Sequence, residues 1–184
     1  MRAAALRTLP ARAPRAQEQQ ELCVVFSCEE LVCALPTRWV ERLVLPSDVT
    51  VIAGDRAQPE ASGETWRLAQ VNQRLYAACD LATQLGLEQV GAAWALLRVP
   101  HGDRVLPIAL QIGPCLVVQP LGRGLPLPAG VFRARSGAVA AAFPTTLLES
   151  KVKLTDVGLR LDPENLWTEP ELEDAVALLS DKRE

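Results

Sequence analysis

An all-β fold is what this 184-residue sequence predicts, and three observations predict it. Short runs rich in Val, Leu, Ala and Cys recur along the chain. Turn signals built on Gly, Pro, Asn and Asp separate them, and a sustained helical period of apolar residues occurs only near the C-terminus. Strands at such close spacing with little helix between them argue a β-barrel or β-sandwich.

The elements follow in order. Residues 1–20 open with Arg2, Arg7, Arg12 and Arg15 and no acidic residue in the first sixteen, with Pro10 and Pro14 among them. They lack the apolar stretch a secretory signal needs, so they read as a disordered basic leader. Leu22–Phe26 and Leu31–Leu35 form a first hairpin around a polar turn at Ser27–Glu30, closed by Pro36. Val40–Leu45 is a third strand, stopped by Pro46. Ser47–Glu64, with Asp48, Gly54, Asp55, Pro59 and Gly63, reads as a long loop.

The stretch Trp66–Leu87 is the most informative in the chain. Leu68 and Val71 carry the apolar load of one strand, Asn72-Gln73 mark a tight turn, and Leu75, Ala77 and Cys79 alternate on the returning strand. Asp80 then sits where a helix N-cap is wanted, with Gly86 as C-cap of one short helix. Ala92–Val99 and Arg104–Ile112 make the next hairpin around His101-Gly102-Asp103. Gly113-Pro114 breaks the pattern before Cys115–Val118 resumes it. Gly122–Gly130 is a Gly/Pro loop. Val131–Ala134 and Gly137–Phe143 form a further hairpin turned at Arg135-Ser136, and Thr145–Leu148 is a short closing turn.

Residues 151–184 form an extension beyond a domain spanning 21–150. Val157–Leu161 either adds a strand to the extension or is the true closing element of the domain. Thr168-Glu169-Pro170-Glu171 is a helix start, with Thr as N-cap and Glu at the capping-box position. Leu172, Ala175, Val176 and Leu179 then fall on one face of an amphipathic helix over 169–180. So short a helix is not stable alone in water, which favours packing on its own domain over packing on a partner.

Composition narrows the function. Apolar residues make up 49% of the chain but only one Tyr and three Phe are present, so aliphatic side chains fill the interior. A net charge of −3 without a clustered basic surface argues against nucleic-acid binding. No apolar run approaches the roughly 18 residues that a membrane-spanning helix needs. Cys23, Cys28, Cys33, Cys79 and Cys115 are odd in number and lack zinc-site spacing, so they read as reduced thiols in a cytoplasmic protein. His101, the only histidine, reads as a solvated turn residue rather than a general base. The acidic pairs Asp48/Asp55 and Asp156/Asp162 read as loop and turn residues. No nucleophile elbow or phosphate loop is present, so the sequence implies no enzyme, no cofactor, no metal site and no small-molecule substrate.

The Trp66–Leu87 stretch resembles the CheW-like domain of bacterial chemosensory adaptors. That family shows an Asn-Leu-Arg-Gly run, a Pro-Val-Val-Asp-Leu run and a Leu-Gly step ending a short helix. With Asp80-Leu81 and Leu85-Gly86 in register, the Asn-Leu-Arg-Gly positions fall on Gln70, Val71, Asn72 and Gln73. Ala77 stands where the family has Pro. Upstream, Ala34-Leu35-Pro36 and Val40 match the family's opening strands, and Arg42 stands where it has Glu. Near the second hairpin, Gln111 stands for an Asp.

The resemblance covers Glu21–Glu149 and implies two small five-stranded β-barrel subdomains, here followed by the short C-terminal helix. It also implies an adaptor that binds a chemoreceptor, a CheA-type histidine kinase or another motility regulator. Candidate docking residues are Trp39, Val40, Arg42, Val71, Asn72 and Arg74, with Arg38 among the polar surroundings and Leu43 assigned to the core. Trp39, between Arg38 and Val40, reads as a partly exposed anchor, since Trp combines an apolar body with a polar edge. Arg42 and Asn72 penalise the family's usual partner, because like charges repel at a docking surface.

Overall fold

The apolar runs are nearly continuous because many strands are buried on both faces, which is the pattern expected of strands sandwiched between two cores. On β1 (Glu21–Cys28), Cys23 and Val25 point to one core while Val24, Phe26 and Cys28 point to another. β2 (Leu31–Pro36) splits the same way, Val32 and Ala34 against Cys33 and Leu35. The computed structural model describes residues 20–28, 30–52, 66–87, 91–127, 138–148 and 155–181. The basic leader, most of the 47–64 loop and the strand at Val131–Ala134 with its turn lie outside the described residues.

The remaining strands are β3 (Val40–Val44), β4 (Thr50–Ile52), β5 (Arg67–Val71), β6 (Arg74–Asp80), β7 (Ala93–His101), β8 (Arg104–Ile112), β9 (Cys115–Leu121), β10 (Leu125–Pro126), β11 (Val139–Pro144) and β12 (Val157–Leu161). Two helices join them, α1 (Leu81–Leu85) and α2 (Glu169–Ser180). One sheet has the order β10-β11-β12-β2-β1-β9 and the other β3-β7-β8-β6-β5-β4. The described residues thus give six strands to each sheet, where the family resemblance implies five. The extra strand in the second sheet includes β4, a three-residue edge strand inside the stretch whose Pro, Gly and Asp content reads as loop.

The chain builds half of the first lobe, then the whole second lobe from β3 to β8, and then returns to finish the first. Among the described residues, each lobe contains one parallel ladder, β12 with β2 and β6 with β8, among antiparallel neighbours. The second sheet curls so that Val44 of its first strand meets Val71 and Tyr76 of strands near its other edge, in one core with Leu96 and Ala109. A larger core lies between the lobes, where Phe26 and Leu35 of the first meet Leu97, Ile108 and Leu110 of the second. Each such buried side chain is worth about 1.5–3 kcal/mol, so the lobes are held chiefly by this shared core. At the return crossing a Cβ on Gly113 would lie 1.7 Å from the Ser27 carbonyl oxygen, so only glycine lets the two backbones approach there.

β12 occupies an interior position of the first sheet, between β11 and β2. Of the two readings of Val157–Leu161, it is the closing element, and the sheet runs past residue 150, where the sequence pattern alone ends the domain. After it, Leu166 and Trp167 enter the shared core, Trp167 meeting Trp66 with ring centroids 5.5 Å apart. α2 then lies on the second lobe, with Ala175 and Leu179 against Leu68 and Ala77. Its start is capped as its sequence demands: the Thr168 N–H donates to the Glu171 carboxylate at 2.8 Å. The helix therefore packs at home.

Candidate docking surface

The turn joining β5 and β6 has two residues, Asn72 at φ 47° and Gln73 at φ 66°, with Val71 paired to Arg74 across it. Two left-handed residues in succession match the right-handed twist of the flanking strands, and Asn tolerates that conformation well. This geometry pushes Asn72, Gln73 and Arg74 into solvent. β6 then ends at Asp80, whose Oδ1 accepts from the Ala82 N–H at 2.7 Å and starts α1. Gly86, at φ 72°, ends it.

Arg74 reaches back to β3 and pairs with Glu41 at 3.1 Å, which brings the two motif segments together. The guanidinium also lies 5.9 Å from the centre of the Tyr76 ring. Arg42, next to Glu41, is exposed. The exposed face is therefore polar: Arg42, Asn72 and Arg74, with Glu41 as the acidic member the sequence did not single out. The pair was detectable only through the fold, since 33 residues separate its members.

The apolar candidates sit differently. Trp39 is 8% exposed and belongs to the shared core, so it is not the partly exposed anchor its polar flanks suggest. The cause is local: Pro36 ends β2, and Thr37–Trp39 form a 3-10 turn at the crossing between lobes, which swings the indole inward. Arg38 stays outside, 5.3 Å from the indole centre, and pairs with Glu21, which also binds Arg160 of β12. Val71 is 1% exposed inside the second lobe. Val40 is half-buried and packs on the shared core, as does Leu43. Three of the six candidates are therefore packing residues.

Beside the turn, Gln73, Arg74 and Leu75 line a shallow cleft with Pro107 of β8 and Leu179 of α2. The C-terminal helix thus supplies one wall next to the polar face, a contribution its sequence does not reveal. Apolar exposure close to β3 includes Leu45 at 63% and Val51 at 40%.

The titratable groups are placed as follows. The five cysteines are free thiols, with only Cys115 exposed. Burial pushes Cys23 up to about 11. Cys33 is raised further, by burial first and by the neighbouring Cys28 second. Thiols held protonated in this way are inert nucleophiles. His101 is not the solvated residue its turn position suggests: its side chain is 10% exposed and lies between Glu169 and Glu173 of α2. Asp162 is spent in a turn, accepting from Asn165 Nδ2 at 2.8 Å. Among the described residues, no helix is long and apolar enough to cross a membrane.

No protein-family profile and no curated protein matches the sequence. Among solved structures, the chain is similar to the crystal structure of the scaffolding protein TtCheW from Thermoanaerobacter tengcongensis. The TM-score is 0.58 at 15% identity, over 80% of this chain and 92% of that one. With its two β lobes matched over nearly the whole length of that neighbour, the chain has the CheW-like fold.

Proposed function

We propose that this protein is a non-enzymatic adaptor of bacterial chemosensory signal transduction, working in the cytoplasm. In this reading it links a chemoreceptor and a CheA-type histidine kinase, or a related motility regulator. The observation that carries it is the fold match to a scaffolding protein over 92% of that protein's length. The exposed polar residues of the second lobe, Arg42, Asn72 and Arg74, the last paired with Glu41, support a docking role for that region.

A second reading is a CheW-like binding module that serves a motility or polarity protein outside receptor arrays. Arg42 and Asn72 favour it, because they stand where the family resemblance places Glu and Arg. Reversing one charge and removing another at a docking face changes which partner is tolerated.

Binding of the purified protein to a receptor signalling tip and to a CheA-type regulatory domain, measured by calorimetry, tests both. The first reading expects binding to at least one, weakened about tenfold by Arg74→Glu. The double change Arg42→Glu with Asn72→Arg is expected to strengthen binding to the conventional array component. Absence of binding to either, with that double change also without effect, overturns the first reading and leaves the second.

A further inference from the structure

His101 ends β7 with both ring nitrogens facing carboxylates of one helix. Nδ1 lies 3.6 Å from a Glu169 oxygen and Nε2 lies 3.2 Å from a Glu173 oxygen. Four residues apart, the glutamates share a face of α2 and repel each other unless something positive sits between them. They are 76% and 65% exposed, while the imidazole, at the end of the β7–β8 hairpin, is 10% exposed. Its own hairpin adds Asp103 in the turn and Arg104 as its cross-strand partner, both exposed.

The geometry points to a proton-operated clasp: protonated His101 donates from both ring nitrogens and fastens the N-terminal half of α2 to the second lobe. A neutral imidazole has one N–H, so it can satisfy only one of the two carboxylates. One ring nitrogen and one oxygen of each glutamate lie within 4.8 Å of one another, a spacing that also admits a metal ion, so the test below sets a proton against a metal. The sign follows: the clasp is closed while the ring carries both protons and loosens once it gives one up.

What the clasp governs is the cover over Leu68 and Ala77 and the wall that Leu179 gives to the cleft beside Arg74. Loosening α2 therefore reshapes the face assigned above to docking. The clasp itself does not depend on that assignment and is tested without any partner.

The chain contains a single histidine, so its ring signals are unambiguous in nitrogen-edited NMR. The intact protein is titrated from pH 5 to 8.5 while the ring, the α2 amides and hydrogen exchange are followed. Both ring nitrogens are expected to carry protons at low pH, and α2 amides to shift with the ring's own midpoint. Protection of α2, corrected for intrinsic exchange, is expected to be about threefold greater at pH 5.5 than at pH 8, since exposed charge pairs are individually weak. His101→Gln, and separately Glu169→Gln with Glu173→Gln, are expected to abolish that difference. A ring that titrates while α2 stays unmoved overturns the proposal, and so does an unchanged pH response in the variants. Zinc added at pH 8 that restores protection only when His101 is present would replace the clasp with a metal site and likewise overturn it.

Discussion

Gln73 holds φ at 66° in the two-residue turn between β5 and β6. A left-handed conformation is costly for most L-residues and free for glycine, and a two-residue hairpin turn of this kind prefers Asn followed by Gly. Gln73→Gly is therefore expected to stabilise the protein by about 0.5–1 kcal/mol. The check is a higher denaturant midpoint at unchanged slope. The cysteines make a second prediction at this scale. Burial raises Cys23 from 9.0 to about 11 and moves Cys33 in the same direction. The folded state thus keeps protons that the unfolded state releases first. Stability from these thiols is intact below pH 9 and falls from there towards 11. Guanidinium midpoints between pH 7 and 10.5 are expected to drop, and to drop less in Cys33→Ala than in the parent. In the native protein one thiol, Cys115, is expected to react with a thiol reagent well ahead of the other four.

At the scale of elements, the local signals carried most of the structure. The Asn72-Gln73 turn, the Asp80 cap and the Thr168 capping box act within a few residues, so they are legible directly in the chain. β4 was not, because three residues at a sheet edge leave no period to detect. α2 was legible as a helix, but its landing place was not. Its apolar stripe is complementary to Leu68 and Ala77, which lie about a hundred positions away in sequence. Leu172→Ala is expected to cost about 2–3 kcal/mol, as truncation of a buried Leu does, and to lower hydrogen-exchange protection of α2 first. Asp80→Ala is expected to cost about 1 kcal/mol through the lost cap of α1. Far-UV circular dichroism is expected to remain that of a β-protein in both.

For the whole molecule, the decisive feature is that the largest core belongs to neither lobe alone. Phe26 and Leu35 from one lobe, Leu97 and Ile108 from the other, and Leu166 and Trp167 from the C-terminal segment share it. Lobes joined in this way unfold together, so a single transition with coincident fluorescence and circular dichroism midpoints is expected. The chain crosses between the lobes before β3, after β8 and again after β12. Trp167→Ala empties part of the last crossing and is expected to cost about 3–5 kcal/mol. If it leaves the transition unaltered, the segment does not tie the lobes together.

By itself the sequence determined the all-β class, most strand positions, the central turn, the capped helices and the exposed polar residues Arg42, Asn72 and Arg74. These depend on side-chain period, φ preference and capping, all of which act over a few residues. Only the tertiary structure decided that Trp39 and Val71 face inward, that β12 closes the first sheet, that Glu41 meets Arg74 and that His101 sits between two glutamates. Each of these depends on which of two apolar faces a strand turns to which lobe. Strands buried on both sides carry no polar face to mark that choice, so it is made when the lobes close on each other.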